Sequence, residues 1–101
     1  MRQTHPLTHP RHKPAQALDR LKNTLRKYVK RERRKELPEG TDFWDFDCRM
    51  GLDEDSSEEV HVKELNKRLD RFAEQGAEAV YIEILARAAT RQRRADGEAS
   101  S

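Results

Sequence analysis

Asp42-Phe43-Trp44-Asp45-Phe46-Asp47-Cys48-Arg49-Met50 alternates along its length. Trp44, Phe46, Cys48 and Met50 fall on one side of an extended chain, and Phe43, Asp45, Asp47 and Arg49 fall on the other. A period of two with large apolar residues on one side marks a strand with one buried and one open face. The Trp44 side is therefore the expected core face, and Trp44→Ala is expected to cost roughly 3–5 kcal/mol if the ring is fully enclosed.

On the N-terminal side of this strand the period changes. Leu18, Leu21, Leu25, Tyr28 and Val29 recur at helical spacing, while Lys22, Arg26, Lys27, Lys30, Arg31, Arg33 and Arg34 occupy most of the remaining surface. Pro14 suits the first turn of a helix, where its missing N–H costs nothing, and Leu37-Pro38-Glu39-Gly40 stops it. The spacing predicts a helix over 14–36 with one packing face and one cationic face. Before it, Thr4-His5-Pro6-Leu7 and Thr8-His9-Pro10 form a short repeat whose prolines permit only a brief or edge strand.

On the C-terminal side, Gly51 to Glu59 is an acidic loop expected to be too polar to pack. Two readings of the next residues stand side by side. Ser56-x-x-Glu59 matches a capping box that would start a helix; alternatively Val60-His61-Val62 is a short returning strand, favoured by its β-branched alternation and by a loop length that suits a hairpin. The second helix, to about Gln75, carries Val62, Leu65, Leu69, Phe72 and Ala73 on one face and stops at Gly76. A last strand over 78–87 alternates Val80, Ile82, Ile84 and Ala86 with Tyr81, Glu83, Leu85 and Arg87.

The order strand, helix, strand, strand, helix, strand predicts an α+β fold of the ferredoxin-like split βαβ plan, with one mainly antiparallel sheet and both helices on one face. Trp44, Phe46, Cys48, Val60, Val62, Val80, Ile82 and Ile84 are the expected covered face; Phe43, Asp45, Asp47, Arg49, His61, Tyr81, Glu83 and Leu85 are the expected open one. Residues 1–88 are expected to form a single domain, with about the first ten residues loosely attached, and 89–101 a disordered basic-then-polar tail.

The composition is 34% hydrophobic and 40% charged with a net charge of +2, which hides segregation. Residues 1–35 hold 12 Lys/Arg against 2 Asp/Glu, whereas residues 36–59 hold 1 against 10. No apolar run approaches the roughly 20 residues needed to span a bilayer, and the N-terminus lacks the apolar core of a signal peptide. The single cysteine, Cys48, excludes an internal disulfide and fits a reducing compartment, so a cytoplasmic location is expected, with no membrane partner.

Pro6-Leu7-Thr8-His9-Pro10, Tyr28-Val29-Lys30-Arg31-Glu32-Arg33-Arg34-Lys35, Leu37-Pro38-Glu39-Gly40, Asp42-Phe43-Trp44-Asp45-Phe46-Asp47-Cys48 and Tyr81-Ile82-Glu83-Ile84-Leu85-Ala86 together resemble a family of short, uncharacterised bacterial proteins, a domain of unknown function. The likeness covers nearly the whole chain apart from its tail. It implies a bacterial source and carries over no activity.

Four groupings invite chemistry. The cations Lys27, Lys30, Arg31, Arg33, Arg34 and Lys35, helped by arms around Arg11 and Arg91, suit the phosphates of RNA more than DNA, against the plain reading of a solvated helix face. The open sheet face lacks the aromatic stacking pairs of RNA-recognition modules, so the helix is the expected interface. The opposed basic and acidic segments alternatively serve protein docking or self-association. Asp45, Asp47, His61 and Glu83 are a third, weaker candidate, as oxygen and imidazole ligands for a metal-dependent enzyme; strands with one open face commonly show such alternation without a ligand. Finally, His5, His9, His12 and Cys48 do not match a zinc finger, and Cys48 on the core face is expected to be an inert thiol. No catalytic residue, metal or cofactor is assigned, and no enzyme activity is expected.

Overall fold

The computed structural model describes residues 1–7 and 14–91. Strand β1 (Arg2–Pro6) precedes helix α1 (Pro14–Arg33); strands β2 (Phe43–Gly51) and β3 (Glu58–Val60) form a hairpin. A 3-10 turn at Val62–Glu64 leads into helix α2 (Leu65–Glu74), and β4 (Ala79–Ala89) closes the sheet. The sheet order is β1-β4-β2-β3, and every neighbouring pair is antiparallel.

The four antiparallel strands and two helices follow the alternations in the sequence, but the ferredoxin-like strand order is not matched. That order places the first and third strands at the centre of the sheet. Here β1 is five residues long and almost wholly exposed, and β3 has only three residues. Such strands suit an edge. The centre goes instead to nine-residue β2 and eleven-residue β4, paired from Phe43 opposite Ala89 to Gly51 opposite Tyr81. Both helix crossovers still skip one strand: β4 lies between β1 and β2, and β2 lies between β3 and β4.

One face of the sheet carries the core. Phe46, Cys48 and Met50 of β2, Val60 of β3, and Val80, Ile82 and Ile84 of β4 pack with Leu21, Leu25 and Val29 of α1 and Leu65 and Leu69 of α2. Leu7 joins this cluster, its N–H donating to the Glu78 carbonyl at 2.8 Å, so the segment expected to be loosely attached is tied to β4 at least through residue 7. Residues 8–13 and 92–101, including Arg11, His9, His12 and most of the expected tail, lie outside the described residues.

Several boundaries differ from the expected ones. Helix α1 stops at Arg33, and Arg34 and Lys35 follow in a tightened turn with N–H bonds to Arg31 and Glu32 carbonyls at 3.2 Å. Val60 ends β3 rather than beginning a strand, because the hairpin registers Cys48, Arg49 and Met50 against Val60, Glu59 and Glu58. The Ser56-to-Glu59 capping box does not form: the Ser56 N–H donates to Asp53 Oδ1 at 2.8 Å, and Glu59 is in the strand. The 3-10 turn is capped by His61, whose Nδ1 accepts the Lys63 N–H at 3.1 Å, so His61 does not extend the open sheet face.

Trp44 is half-buried at the margin of the core, not enclosed in it. Its indole N–H donates to the Lys35 carbonyl at 2.9 Å, taking up a carbonyl just beyond the end of α1. Tyr81, expected on the open face, is only 6% exposed, opposite Gly51 at the foot of the acidic loop.

That loop is more closely packed than its composition suggests. Ser57 is 5% exposed, and Arg49 holds it through Nε to Ser57 Oγ at 3.1 Å and through a guanidinium nitrogen to the Ser57 carbonyl. A Cβ added at Gly51 would lie 2.6 Å from the Ser57 Cα and 2.8 Å from its nitrogen, both backbone atoms that cannot rotate away. At the other end, α2 closes with Gly76 at φ +79°, the Gly76 N–H reaching the Ala73 carbonyl and the Ala77 N–H the Phe72 carbonyl, both at 3.0 Å. This is the Schellman pattern, and it requires the left-handed residue that glycine supplies.

Gly51→Ala is expected to destabilise by about 1–3 kcal/mol through overpacking, and Gly76→Ala by about 1–2 kcal/mol through the left-handed penalty. Trp44→Ala, half-buried, is expected to cost about 1.5–3 kcal/mol, below the range for a fully enclosed ring. Urea unfolding of the three variants checks all of these.

Candidate nucleic-acid interface

Helix α1 buries Leu21, Leu25 and Val29, which fixes where its charges point. Lys27, Lys30, Arg31 and Arg34 recur at i, i+3, i+4 and i+7 on the opposite side, and all four are exposed. Arg33 and Lys35 are exposed too but flank this ridge. The Arg33 guanidinium carbon sits 5.4 Å from the centre of the Phe46 ring, Arg31 lies 5.6 Å from that of Tyr28, and Lys35 pairs with Glu32 at 3.0 Å. Among the described residues, no carboxylate lies within ion-pair distance of Lys27, Lys30, Arg31, Arg33 or Arg34.

The indole bond of Trp44 to Lys35 holds the end of this ridge against the start of β2. Arg91 is at the same end of the sheet. Its N–H donates to Asp42 Oδ2 at 2.9 Å, and its guanidinium carbon lies 5.9 Å from the centre of the Phe43 ring.

Beside the ridge, the C-terminal half of α1 and the start of α2 enclose a groove of about 410 Å³. Leu25, Val29, Val62 and Leu65 form its apolar lining. Arg26, Lys30, Arg33 and Lys63 surround it, and no carboxylate is among its walls. Arg26 and Lys63 were not foreseen as site residues. Arg26 had a usable signal, its four-residue spacing from Lys30; Lys63 comes from a distant segment, and only the fold brings it across from α1.

The acidic candidates are engaged elsewhere. Arg87 reaches from β4 to Asp45 Oδ2 at 2.9 Å and Asp47 Oδ2 at 3.1 Å, and these contacts, Asp47 foremost, hold its guanidinium more firmly charged than usual. Glu83 accepts the Tyr81 hydroxyl at 2.9 Å and lies 3.7 Å from Arg2. Burial, reinforced by that carboxylate, pushes the Tyr81 phenol up. Asp45, Asp47 and His61 border a shallow groove of about 330 Å³, but Glu83 is not among its walls. Among the described residues, no group of three or more His, Cys, Asp or Glu is placed to hold a metal ion. No helix among them is long and apolar enough to cross a membrane.

Cys48 is 1% exposed, and its thiol is pushed up to about 11, by burial first and then by Asp47 and Asp45. A thiol so protonated is a poor nucleophile and metal ligand. His5 is half-buried on β1, its Nε2 enclosed without a hydrogen-bond partner, and burial lowers its pKa below 6.5.

Because the folded pKa of His5 lies below its unfolded value of 6.5, the unfolded chain takes up the proton first as the pH falls. Stability should therefore be fully present above 6.5 and decline as pH drops below it. Urea midpoints measured at mildly acidic and neutral pH should fall with acidification in the wild type and fall less in His5→Phe.

No functionally curated protein and no solved structure matches the chain. The model of a family of unknown function, DUF6172, matches residues 1–95, and the chain belongs to that family.

Proposed function

We propose that this protein binds the phosphate backbone of RNA or DNA in a bacterial cytoplasm, through the outward ridge of α1. The observation that carries the reading is the set Lys27, Lys30, Arg31 and Arg34, exposed on one side of α1 and the turn that ends it, while the other side of the helix is committed to the core, with no acidic partner among the described residues. The carboxylates of the sheet are treated differently, since Arg87 and Arg2 answer them locally. Arg33, Lys35 and Arg91 extend the positive surface at the same end.

The ridge runs from Lys27 to Arg34, seven residue steps or about 10 Å along the helix axis. Such a short row contacts few phosphates, so binding is weak to moderate and indifferent to sequence. Each phosphate neutralised adds about −0.9 to the slope of log affinity against log salt for duplex DNA, or −0.7 for a single strand, so three to four contacts give a slope of roughly −2 to −4.

The triple variant Lys30→Gln, Arg31→Gln, Arg34→Gln is expected to reduce that slope by about 2–3, and the corresponding triple change to Glu should abolish binding. These cations also favour the negative end of the helix dipole, so each neutralisation costs up to about 0.3–1 kcal/mol, a fall of a few degrees in Tm for a domain of this size. Fluorescence anisotropy with a labelled RNA at low and moderate salt measures the slope, and calorimetry measures Tm. Wild type and the Glu variant binding RNA equally poorly at low salt would refute the reading.

A further inference from the structure

We propose that the groove between α1 and α2 takes the Leu52 turn of a second copy of this chain, giving a head-to-tail contact. Two separate features of the surface carry this. Leu52 is the one exposed large apolar side chain among the described residues, at 59%, and Asp53, Glu54 and Asp55 follow it directly. The groove presents the converse: an apolar lining that includes the half-buried Val62, surrounded by Arg26, Lys30, Arg33 and Lys63. An apolar knob bordered by carboxylates thus faces an apolar hollow bordered by cations, and complementarity of this kind fixes both register and partner.

The turn is held in shape before any contact. Asp53 Oδ1 accepts the Ser56 N–H at 2.8 Å, the Glu54 carbonyl accepts the Ser57 hydroxyl at 2.8 Å, and Arg49 grips Ser57. A preformed turn loses little conformational freedom on docking. Its own groove is out of reach. One wall of the groove lies beside Arg33, which stacks on Phe46, and the other begins at Val62, two residues past Val60, which pairs with Cys48; Leu52 is four residues beyond Cys48, about 13 Å along the chain, in a turn held by its own hydrogen bonds. The contact is therefore between different patches of two copies, so each copy has one groove and one knob to offer.

The contact is small, so association is weak, seen as the protein concentration approaches about 1 mM, and weaker in high salt. The proposal does not rest on the nucleic-acid reading, and the test uses Arg26 and Lys63, which lie off the α1 ridge, in protein cleared of nucleic acid by nuclease and a high-salt wash. In sedimentation equilibrium the wild type should rise above its monomer mass of 11.9 kDa with concentration. Leu52→Ser, and separately Arg26→Glu with Lys63→Glu, should each stay monomeric. Mixed in equal amounts these two variants should form a capped pair and nothing larger, because one keeps the groove and the other keeps the knob. In that mixture the amide signals of Lys63 and Asn66 should shift in labelled Leu52→Ser. Thermal melts confirm that each variant is folded, and Leu52→Gln or Arg26→Gln with Lys63→Gln replaces one that is not. A wild type that stays at monomer mass, a Leu52 variant that associates as the wild type does, or a mixture that fails to pair would each overturn the proposal.

Discussion

The pairing of β2 with β4 is the constraint on which the remaining structure depends. Both strands alternate, and their register sets Phe46, Cys48 and Met50 beside Ala86, Ile84 and Ile82 on one face and Asp45, Asp47 and Arg49 beside Arg87, Leu85 and Glu83 on the other. A slip of one residue would send the apolar set of one strand to the open face. Helix α1 is located by the same strand, since its buried stripe packs on the face that Phe46 and Cys48 provide and Trp44 bonds to the carbonyl of Lys35 just past its end. The basic surface is thus positioned through β2, although none of its α1 cations belongs to the sheet.

The two halves of the charge distribution serve different ends. On the sheet, Asp45 and Asp47 share Arg87, and Glu83 lies near Arg2 and takes the Tyr81 hydroxyl, so the acidic strand segment is answered within the fold. Exposed pairs of this kind contribute little to stability. Their larger effect is to cancel the local field. On α1 and the turn that ends it, only Lys22, paired with Asp70 at 2.6 Å, and Lys35, paired with Glu32, have partners among the described ion pairs. The remaining cations repel one another, and placement near the negative end of the helix dipole offsets only part of that. A folded chain that keeps such a cluster unanswered presents a persistent positive field to solvent.

Periodicity made the elements legible. The stripe Leu21, Leu25, Val29 and the alternation Phe46, Cys48, Met50 each point to a buried face, and both are buried. Gly76 as a stop was legible because the left-handed residue of a Schellman turn has few alternatives. Strand order was not legible, because it depends on which strands are long enough to be flanked on both sides. The β3 boundary was missed because Val60-His61-Val62 alternates as well as Glu58-Glu59-Val60 does, and the choice was made by cross-strand register and by the His61 cap. The cationic ridge was read from spacing within one helix, whereas the groove required Lys63 to be carried across from a segment thirty residues beyond Arg33.

Strand β3 covers little of its neighbour. It pairs with Cys48–Met50 only, so Phe43–Asp47 have a ladder partner on one side. A half-open edge in a central strand invites pairing with another chain. Here Asp45 turns its own Oδ1 onto the Phe46 N–H at 2.8 Å, while its other oxygen is held by Arg87. The donor that an incoming strand would need at that point is already occupied, and the carboxylate beside it would have to be desolvated to release it. The same aspartates that suggest a metal site in the sequence therefore act within the sheet, both neutralised by Arg87 and one of them, Asp45, also closing an edge.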